Sequence, residues 1–427
     1  MSTFDLGPFP EASGFEAALE LDHSDPLGEF RKRYVFTDSD LIYLDGNSLG
    51  RLPATAPTLV DRVVRNEWGD RLIRSWNDGW WDMQLEIGER LAPLLGAAPG
   101  VVIISDSTSV NLYKLATAAM RARPGRTKIV TDDTNFPTDV YVLRGVAEAH
   151  GATLHIIPIE GESEPAVGLE GALDESTALV SLSHTAFKTG FTHDLARVTG
   201  LVHQIGALVL WDLSHSVGVV PLDLESAGAD LAVGCTYKYL NGGPGSPAFL
   251  YVRRELQGSL ANPIIGWWGH ADPFAFDLDF RPAEGIRKFH TGTMPVLSLA
   301  TIDAGLGDVT EAGIDRLRAK SVSLTEFFVD QWEEYLEGLG FALESPRDPA
   351  VRGSHVSLSH PDAWPIDRAL IEIGKVIPDF RAPDNLRFGL APLYNSHLDV
   401  HTAIQRIKTI VESGELADFE VRDVKVT

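Results

Sequence analysis

The chain is 427 residues long, with 44% hydrophobic and 22% charged residues, and this composition excludes a disordered, collagen-like or coiled-coil protein. Its 60 acidic and 36 basic residues give a formal net charge of −24, which disfavours nucleic acid and anionic lipid as partners. A single cysteine excludes an intramolecular disulfide and a cysteine-rich zinc site. At about 150 residues per domain, we expect two or three domains.

The N-terminal thirty residues are acidic and are interrupted by Pro and Gly. They contain neither a basic start nor an apolar core, so we expect no signal peptide. The longest apolar runs, such as Ile205–Trp211, fall far below the ~18 residues that cross a bilayer. We therefore predict a soluble cytoplasmic protein that binds neither a membrane nor nucleic acid.

Short apolar runs alternate with helical patterns between about residue 99 and residue 255. The helical patterns include LYKLATAAMRA, FPTDVYVLRGVAEAHG and a segment around residues 194–206. This alternation predicts an α/β fold with a mainly parallel central sheet flanked by helices. The strand-like runs are VVIIS (101–105), KIVTD (128–132), ATLHIIPI (152–159), ALVSLSH (178–184), ALVLWD (207–212), ADLAVGCT (229–236) and AFLYVRR (248–254).

The C-terminal part has a different pattern, which predicts a smaller α+β domain. A long helical stretch (about 307–338) leads into SHVSLSH (354–360), a helix near 366–375, two strand-like segments within 376–391 and a helix near 397–413. The N-terminal 45 or so residues have too little apolar periodicity to fold alone, and we expect them to pack on this domain. The predicted units are an N-terminal segment (1–45), a large domain (46–305) and a small domain (306–427).

Hydroxyl residues follow the first strand of this series. Ser107, Thr108 and Ser109 come directly after VVIIS and Asp106, and they begin a helix. Ligands of open parallel sheets bind at the carboxyl ends of the strands, and N–H groups at a helix N-terminus can form a cup for a phosphate. The alternative is that these hydroxyls are an ordinary helix cap.

An acidic residue ends the strand ALVLWD. Asp212 stands at this end, and His215 follows three residues later. A buried carboxylate is costly without a partner, so Asp212 is a candidate to pair with a protonated ring nitrogen. The alternative is that it caps the following turn.

A lysine follows the strand ADLAVGCT. Lys238 lies between Tyr237 and Tyr239 and precedes the glycine-rich run NGGPG. A lysine in a partly dry pocket can form a Schiff base, although a strand-end lysine by itself is usually a solvated surface residue. Together, the phosphate cup, Asp212 and Lys238 correspond to the phosphate, ring nitrogen and aldehyde of pyridoxal 5'-phosphate (PLP).

Six motifs resemble those of the kynureninase family, and the resemblance extends from about residue 40 to about residue 410. They are YLDGNSLG (43–50), FPTD (136–139), WDLSHSVG (211–218), TYKYLNGGPG (236–245), GWWGH (266–270) and APLYNS (391–396). The resemblance implies the PLP-dependent transferase fold type I, PLP as cofactor and a homodimer. It also implies hydrolysis of L-kynurenine to anthranilate and L-alanine in tryptophan catabolism, a route that also serves NAD biosynthesis.

The resemblance assigns catalytic roles to three residues. It implies that Lys238 bonds the cofactor aldehyde and moves protons at Cα and Cβ of the substrate. Asp212 is expected to keep the pyridine nitrogen protonated, and Tyr237 to act as an acid–base group as well as a phosphate ligand. The other implied cofactor contacts are Thr108, Ser109, Phe136 (stacked on the ring), Asp139, Ser183, His215 and, from the neighbouring subunit, Trp267 and Thr293.

The resemblance also implies substrate contacts. Arg387 matches the arginine that takes the substrate carboxylate, a task for which a bidentate guanidinium is better suited than an ammonium. Asn47 and Ser48 of the motif GNSLG are assigned to the substrate, and Trp76 and Gly292 to its aryl group, next to Thr293. Tryptophan and glycine there favour kynurenine over 3-hydroxykynurenine, because a buried 3-hydroxyl would lack hydrogen-bond partners.

Two conspicuous features of the sequence have ordinary explanations. The lone Cys235 is better explained as a small core residue than as a nucleophile. His184, His193 and His203 fall on a strand, a loop and a helix, so we predict no metal site.

An aminotransferase of the same fold is the main alternative function. A cysteine desulfurase would need a catalytic cysteine after the lysine, and none follows Cys235. The joint presence of Asp212, Lys238 and Arg387 argues against a catalytically inactive binding protein of this fold.

Overall fold

The computed structural model describes residues 14–159, 165–414 and 416 of the chain. Residues 1–13 of the predicted N-terminal segment and residues 417–427 of the predicted small domain lie outside the described residues. Within the described part of the chain, no helix is long and apolar enough to cross a membrane.

The strands and helices are numbered in chain order. The strands are β1 Ile42–Tyr43, β2 Val102–Ile104, β3 Lys128–Asp132, β4 Thr153–Ile157, β5 Thr177–Ser183, β6 Leu208–Asp212, β7 Leu231–Gly234, β8 Phe249–Val252, β9 Ala342–Leu343, β10 His355–Ser359, β11 Val376–Ile377, β12 Asp379–Arg381 and β13 Asn385–Gly389. The helices are α1 Gly14–Ser24, α2 Ala56–Arg62, α3 Met83–Leu91, α4 Thr108–Ala122, α5 Pro137–Ala149, α6 Pro165–Ala172, α7 Leu195–Gln204, α8 Arg254–Gln257, α9 Val296–Ala312, α10 Ile314–Tyr335, α11 Ala363–Glu372 and α12 His397–Ser413.

A seven-stranded sheet forms the centre of the N-terminal two thirds, in the order β2-β8-β7-β6-β5-β3-β4. The neighbouring pairs from β7 to β4 are parallel, whereas β8 runs antiparallel to both β2 and β7. Side chains alternate between two apolar layers: Leu208 and Leu210 pack with α4 and α5, and Val209 and Trp211 pack with α3, α7 and α9. The predicted α/β fold with a mainly parallel sheet is confirmed.

A second, four-stranded antiparallel sheet has the order β12-β13-β10-β9. It shares an apolar core with α10, α11 and α12, in which Phe328, Val356 and Phe388 are buried. Helix α1 contributes Ala17 and Ala18 to this same core. The short strands β1 and β11 pair in parallel and connect the segment before the GNSLG motif to this region.

Several predicted elements differ in detail from the structure. The predicted helical stretch over about 307–338 consists of two helices, because Gly313 has φ +78° and separates α9 from α10. Three short strands, β11 to β13, replace the two predicted within 376–391. Strand β7 ends at Gly234, so Lys238 lies four residues beyond the strand, on the turn that follows it.

Candidate active site

A cavity of about 330 Å³ lies at the carboxyl ends of the parallel strands. Segments that follow β2, β3, β6 and β7 meet there with the GNSLG segment and with β12 and β13 of the second sheet. The lining residues are Asn47, Ser48, Thr108, Ser109, Phe136, Thr138, Asp139, Ser183, Asp212, Ser214, His215, Tyr237, Lys238, Arg381 and Arg387.

The hydroxyl residues after β2 form one wall of this cavity. Ser107 caps α4, and its Oγ accepts a hydrogen bond from Val110 N at 3.4 Å. By their position at the start of a fifteen-residue helix, the N–H groups of Thr108 and Ser109 have no carbonyl acceptor within the helix. They line the cavity together with Tyr237, an arrangement that suits an anion, so capping by Ser107 is compatible with the predicted phosphate binding.

Lys238 is fixed by close packing of its backbone. Gly50 N donates to Tyr237 O at 2.7 Å, and a Cβ added to Gly50 would lie 2.3 Å from Lys238 O, so only glycine fits at the end of the GNSLG motif. The Lys238 side chain reaches into the cavity, where Nζ lies 2.8 Å from His215 Nε2. Burial and the positive charge of Lys238 hold the pKa of His215 well below its usual value, so the imidazole is neutral and can accept from the lysine.

Two carboxyl groups share the floor of the cavity. Asp212 ends β6, and one of its oxygens accepts a hydrogen bond from Ser214 N at 2.7 Å. Burial and the adjacent Asp212 raise the pKa of Asp139 well above its usual value, so protonated Asp139 is favoured. Asp139 Oδ2 has no hydrogen-bond partner among the described residues. A protonated pyridine nitrogen would bring a hydrogen-bond donor to this pair of carboxyl groups.

An aromatic ring covers the cavity beside this pair. Phe136 precedes α5, is 40% exposed and lies edge to face with Phe187 at a centroid distance of 5.2 Å. Its free face suits a stacked heteroaromatic ring. The cup, the carboxyl pair, Lys238 and Phe136 together fit the phosphate, nitrogen, aldehyde and ring of the predicted cofactor.

Arg387 forms the opposite end of the cavity. It lies on β13 directly opposite Asp379 of β12, and its side chain is buried. Its Nε donates to Asp379 Oδ2 at 2.8 Å, Nη1 to Phe187 O at 2.5 Å and Nη2 to Ser48 Oγ at 3.2 Å. This guanidinium is thus positioned by three partners, and one of them, Ser48, also lines the cavity.

More ionisable groups surround Arg387. Arg381 Nη1 lies 2.6 Å from Asp379 Oδ1, so two guanidinium groups share one carboxylate. Burial and the negative charge of Asp379 raise the pKa of Asp45 to about 7. The side-chain amide of Asn47 is buried, and neither of its polar atoms has a hydrogen-bond partner in the described part of the chain. This end therefore has both a fixed cation and unsatisfied polar groups.

The residues predicted to contact the aryl group and the other subunit do not line this cavity. Gly292 and Thr293 line a second cavity of about 570 Å³, which also contacts Thr108 and Ser109. Trp76 and Thr293 line a third, more apolar cavity of about 390 Å³. Trp267 is 41% exposed and packs in an aromatic cluster with Trp81, Trp268 and Phe274.

The residues given ordinary explanations do not line the cavity of Lys238. Cys235 is buried, and burial raises the pKa of its thiol. Burial lowers the pKa of His184 to about 3 and of His193 to about 4, and both are neutral. His203 pairs with Asp230 at 2.9 Å. No cluster of three or more His, Cys, Asp or Glu side chains suited to a metal occurs within the described residues.

The site residues predicted from the sequence do not include every residue in and around the cavity. Thr138 and Ser214 lie inside the quoted motifs FPTD and WDLSHSVG, so attention to every polar position of those motifs would have found them. Arg381 and Asp379 alternate along β12, and this spacing carries no signal that they face Arg387. Asp45 precedes Asn47 by two residues, but its burial against Asp379 depends on the pairing of β1 with β11.

The chain is similar to known kynureninases over nearly its whole length. Residues 317–407 match the family model of the kynureninase C-terminal domain. The chain is 43% identical to a kynureninase of Pseudomonas fluorescens over 413 residues (95% of this chain and 97% of that protein). It is also 43% identical to one of Burkholderia pseudomallei, over 93% of this chain and 95% of that protein. A solved cysteine desulfurase from Thermococcus onnurineus superposes with a TM-score of 0.78 at 20% identity, over 90% of this chain and 98% of that one, which supports a common fold alone.

Proposed function

Because the chain belongs to the kynureninase family, we propose that it hydrolyses L-kynurenine to anthranilate and L-alanine. It is a PLP-dependent enzyme, and PLP is its cofactor. The observation that carries the proposal is that Lys238, the Asp139–Asp212 pair and Arg387 line one cavity. This set combines a cofactor site with a cation for an amino-acid carboxylate.

Bound PLP supplies an electron sink that acidifies the protons on Cα and Cβ of the substrate. Lys238 Nζ is the base that moves these protons, and His215 Nε2 at 2.8 Å orients it. The raised pKa of Asp139 keeps a second negative charge away from Asp212, which is expected to face the pyridine N–H. The Cys235 thiol and burial raise the pKa of Tyr237, so its phenol stays protonated and can donate to the phosphate or to a leaving group.

The net reaction consumes one water. Oxygen from water bonds to the γ-carbonyl carbon, the Cβ–Cγ bond breaks, and the γ-carbon leaves as the carboxylate of anthranilate. Cβ keeps the electron pair of the broken bond and takes a proton to become the methyl group of alanine. We infer that Arg387 holds the substrate carboxylate through its fork near Ser48, with Asn47 as a further hydrogen-bonding group.

We propose that the aryl group lies beside the apolar cavity of Trp76 and Thr293. Met294 and Pro295 also line this cavity, which suits an aromatic ring better than a hydroxylated one. Kynurenine is therefore the proposed preferred substrate, and 3-hydroxykynurenine a poorer one. In a cell, this activity would serve tryptophan catabolism in the cytoplasm.

We further propose a homodimer in which Trp267 and Thr293 of each subunit contact the cofactor of the other. Their location outside the cavity of their own Lys238, and the exposure of Trp267, support this arrangement. Sedimentation across a protein concentration series, with activity measured in parallel, is the test. We expect a dimer with constant specific activity, and a fully active monomer at micromolar concentration would contradict the shared site.

The test of the reaction uses the purified protein with PLP and L-kynurenine, without any 2-oxo acid. We expect anthranilate fluorescence to rise and one alanine to form per anthranilate. An aminotransferase would instead require a 2-oxo acid acceptor and would leave the Cβ–Cγ bond intact. Turnover that depends on a 2-oxo acid, or no anthranilate at all, would contradict the proposal.

A further inference from the structure

Lys114 is a buried lysine that the proposed chemistry does not use. It lies on α4 with its side chain fully enclosed. Its Nζ donates to Asp106 Oδ2 at 2.8 Å, to Asn111 Oδ1 at 3.2 Å and to Ser105 Oγ at 3.3 Å. All three N–H bonds of the ammonium are therefore satisfied, and Asp106 supplies the counter-charge.

Asp106 has an unusual backbone conformation. Its φ is +47°, in the left-handed region that few residues other than glycine adopt, and it directly precedes the capping residue Ser107. Its carbonyl accepts from Ala248 N at 2.9 Å, which ties the turn to the start of β8. A left-handed residue held by many contacts next to a binding site indicates a positional requirement.

The second oxygen of Asp106 binds a different part of the chain. Thr291 Oγ1 donates to Asp106 Oδ1 at 3.1 Å. Thr291 leads directly into Gly292 and Thr293, and its carbonyl accepts from Trp268 N at 3.3 Å. One carboxylate therefore connects α4, which carries the phosphate cup, with the loop 291–293 and with the segment of Trp268.

The start of α4 and the loop 291–293 face each other across the cavity of about 570 Å³. Thr108 and Ser109 line one side, and Thr291, Gly292 and Thr293 line the other, with Asp106 between them. A shift of the carboxylate would move the loop relative to the cup. The geometry thus makes Asp106 the link between the two sides.

We propose that Asp106, with Lys114 as its counter-ion, is a positioning residue that holds the loop 291–293 in register with the phosphate cup. The inference rests on the proposed function, because the expected role of this loop is to contact the aryl group and the cofactor of the other subunit. Asp106 acts through other residues and is not expected to touch the reacting atoms.

The first test removes the loop contact alone. Thr291→Val deletes the hydroxyl but leaves the ion pair of Asp106 and Lys114 intact. We expect the KM for L-kynurenine to rise about tenfold, because a hydrogen bond to a charged group is lost, while kcat stays within about twofold. The matched control is Thr325→Val, which deletes a buried hydroxyl that donates to Val322 O at 3.1 Å in α10. It should lower Tm without changing KM.

The second test removes the charge. Asp106→Asn leaves the buried ammonium of Lys114 without a counter-ion, and we expect the PLP dissociation constant of the apoenzyme to rise about tenfold. Adding Lys114→Met should restore PLP affinity and Tm, because the charge is then gone. The double variant should keep a near-normal KM, because the amide oxygen introduced at position 106 can still accept a hydrogen bond from Thr291.

The outcomes separate the inference from the proposed function. A wild-type protein that binds PLP but forms no anthranilate would contradict the proposed function, and the PLP titrations would still test the positioning role. A Thr291→Val variant that resembles Thr325→Val, with lower Tm and unchanged KM, would overturn the inference. Failure of Lys114→Met to restore PLP binding in the Asp106→Asn background would also overturn it.

Discussion

The two ends of the active-site cavity are built differently. At the cofactor end, Asp139 Oδ2 and His215 Nδ1 are buried and have no hydrogen-bond partner among the described residues. At the carboxylate end, Arg387 is already paired with Asp379 and donates to Phe187 O. A group that binds at the first end supplies partners to groups that lack them. At the second end the cation is already paired, and the atoms without partners belong to the neighbouring neutral amide of Asn47.

We expect this difference to favour different residence times for the groups that bind at the two ends. An unsatisfied buried polar group costs about 1–3 kcal/mol, so filling the cofactor end adds to the free energy of unfolding of the holoenzyme. Arg387 keeps its counter-ion when the carboxylate leaves, so product release does not leave a bare buried charge. The cofactor end thus suits a group that stays bound, and the carboxylate end suits a group that exchanges at every turnover.

The largest effect on turnover is expected from a substitution at the cofactor end. Lys238→Ala should abolish turnover, because the base in contact with His215 is lost, whereas PLP should still bind through the phosphate cup. PLP retention after gel filtration and anthranilate formation are the measurements. Lys408→Ala, on the far helix α12, is the matched control and should behave as wild type. Near-normal turnover by Lys238→Ala would contradict the assignment.

The next effect concerns the carboxylate end. Arg387→Gln should raise the KM for L-kynurenine by about 30- to 150-fold, equivalent to about 2–3 kcal/mol for a lost charge-assisted pair. PLP affinity should be unchanged, and Asp379 keeps Arg381 as counter-ion at 2.6 Å. Arg381→Gln is the matched comparison. Because Arg381 is partly exposed, this substitution should raise KM less than Arg387→Gln does. If Arg381→Gln raised KM more than Arg387→Gln, the substrate carboxylate would be assigned to Arg381 instead of Arg387.

A smaller effect is expected for the aryl group, which neither end contacts. The kcat/KM for L-kynurenine should exceed that for 3-hydroxykynurenine by roughly one decade, since an unpaired buried hydroxyl costs about 1–3 kcal/mol. Both substrates should be measured side by side with wild type and with Trp76→His, which offers a hydrogen-bonding ring. A wild-type preference for the hydroxylated substrate would show that the cavity of Trp76 and Thr293 is not the aryl site.

The smallest expected effect is a dependence of the KM for L-kynurenine on pH. Because Asp45 has a pKa of about 7, it ionises as pH rises through this value and adds a negative charge near Arg387. KM should then rise about fivefold, from an interaction on the order of 1 kcal/mol, and Asp45→Asn should remove this rise. A KM profile for Asp45→Asn that follows wild type would exclude Asp45 as its source.

The same carboxyl affects stability with a defined sign. Its folded-state pKa is raised, so its stabilising contribution is complete below the unfolded value of about 4 and is lost as pH rises through about 7. Asp45→Asn should therefore increase Tm more at pH 8 than at pH 5. An equal change in Tm at both values would contradict the raised pKa.

Most of the cofactor end could be predicted from the sequence. Parallel strands place their carboxyl ends at one edge, so polar residues after β2, β6 and β7 converge there without further information. This places Thr108, Asp212 and Lys238 together, and all three line the cavity. The predicted roles of these residues in binding and catalysis stay predictions until the variants are measured.

The carboxylate end could not be predicted to the same depth. Arg387 was found through the family resemblance, but Asp379 and Arg381 were not, because their proximity depends on the register of β12 against β13. Phe187 contributes a backbone carbonyl, a group that every residue carries, so its sequence gives no signal of this role. Asp45 is an ordinary acidic residue until burial and Asp379 change its pKa.

The sequence by itself determined the fold class, because strand periodicity and helix starts are local properties, and it predicted that Thr108 and Lys238 lie at the same edge of the sheet. Only the tertiary structure decided the ionisation of Asp45, Asp139 and His215, because these depend on burial and on charges distant in sequence. The same holds for Asp106, whose two carboxylate oxygens bind Lys114 and Thr291, one close in the chain and one 185 residues away. A long-range hydrogen bond of this kind has no sequence periodicity, so its contribution is set by the packing of the folded chain.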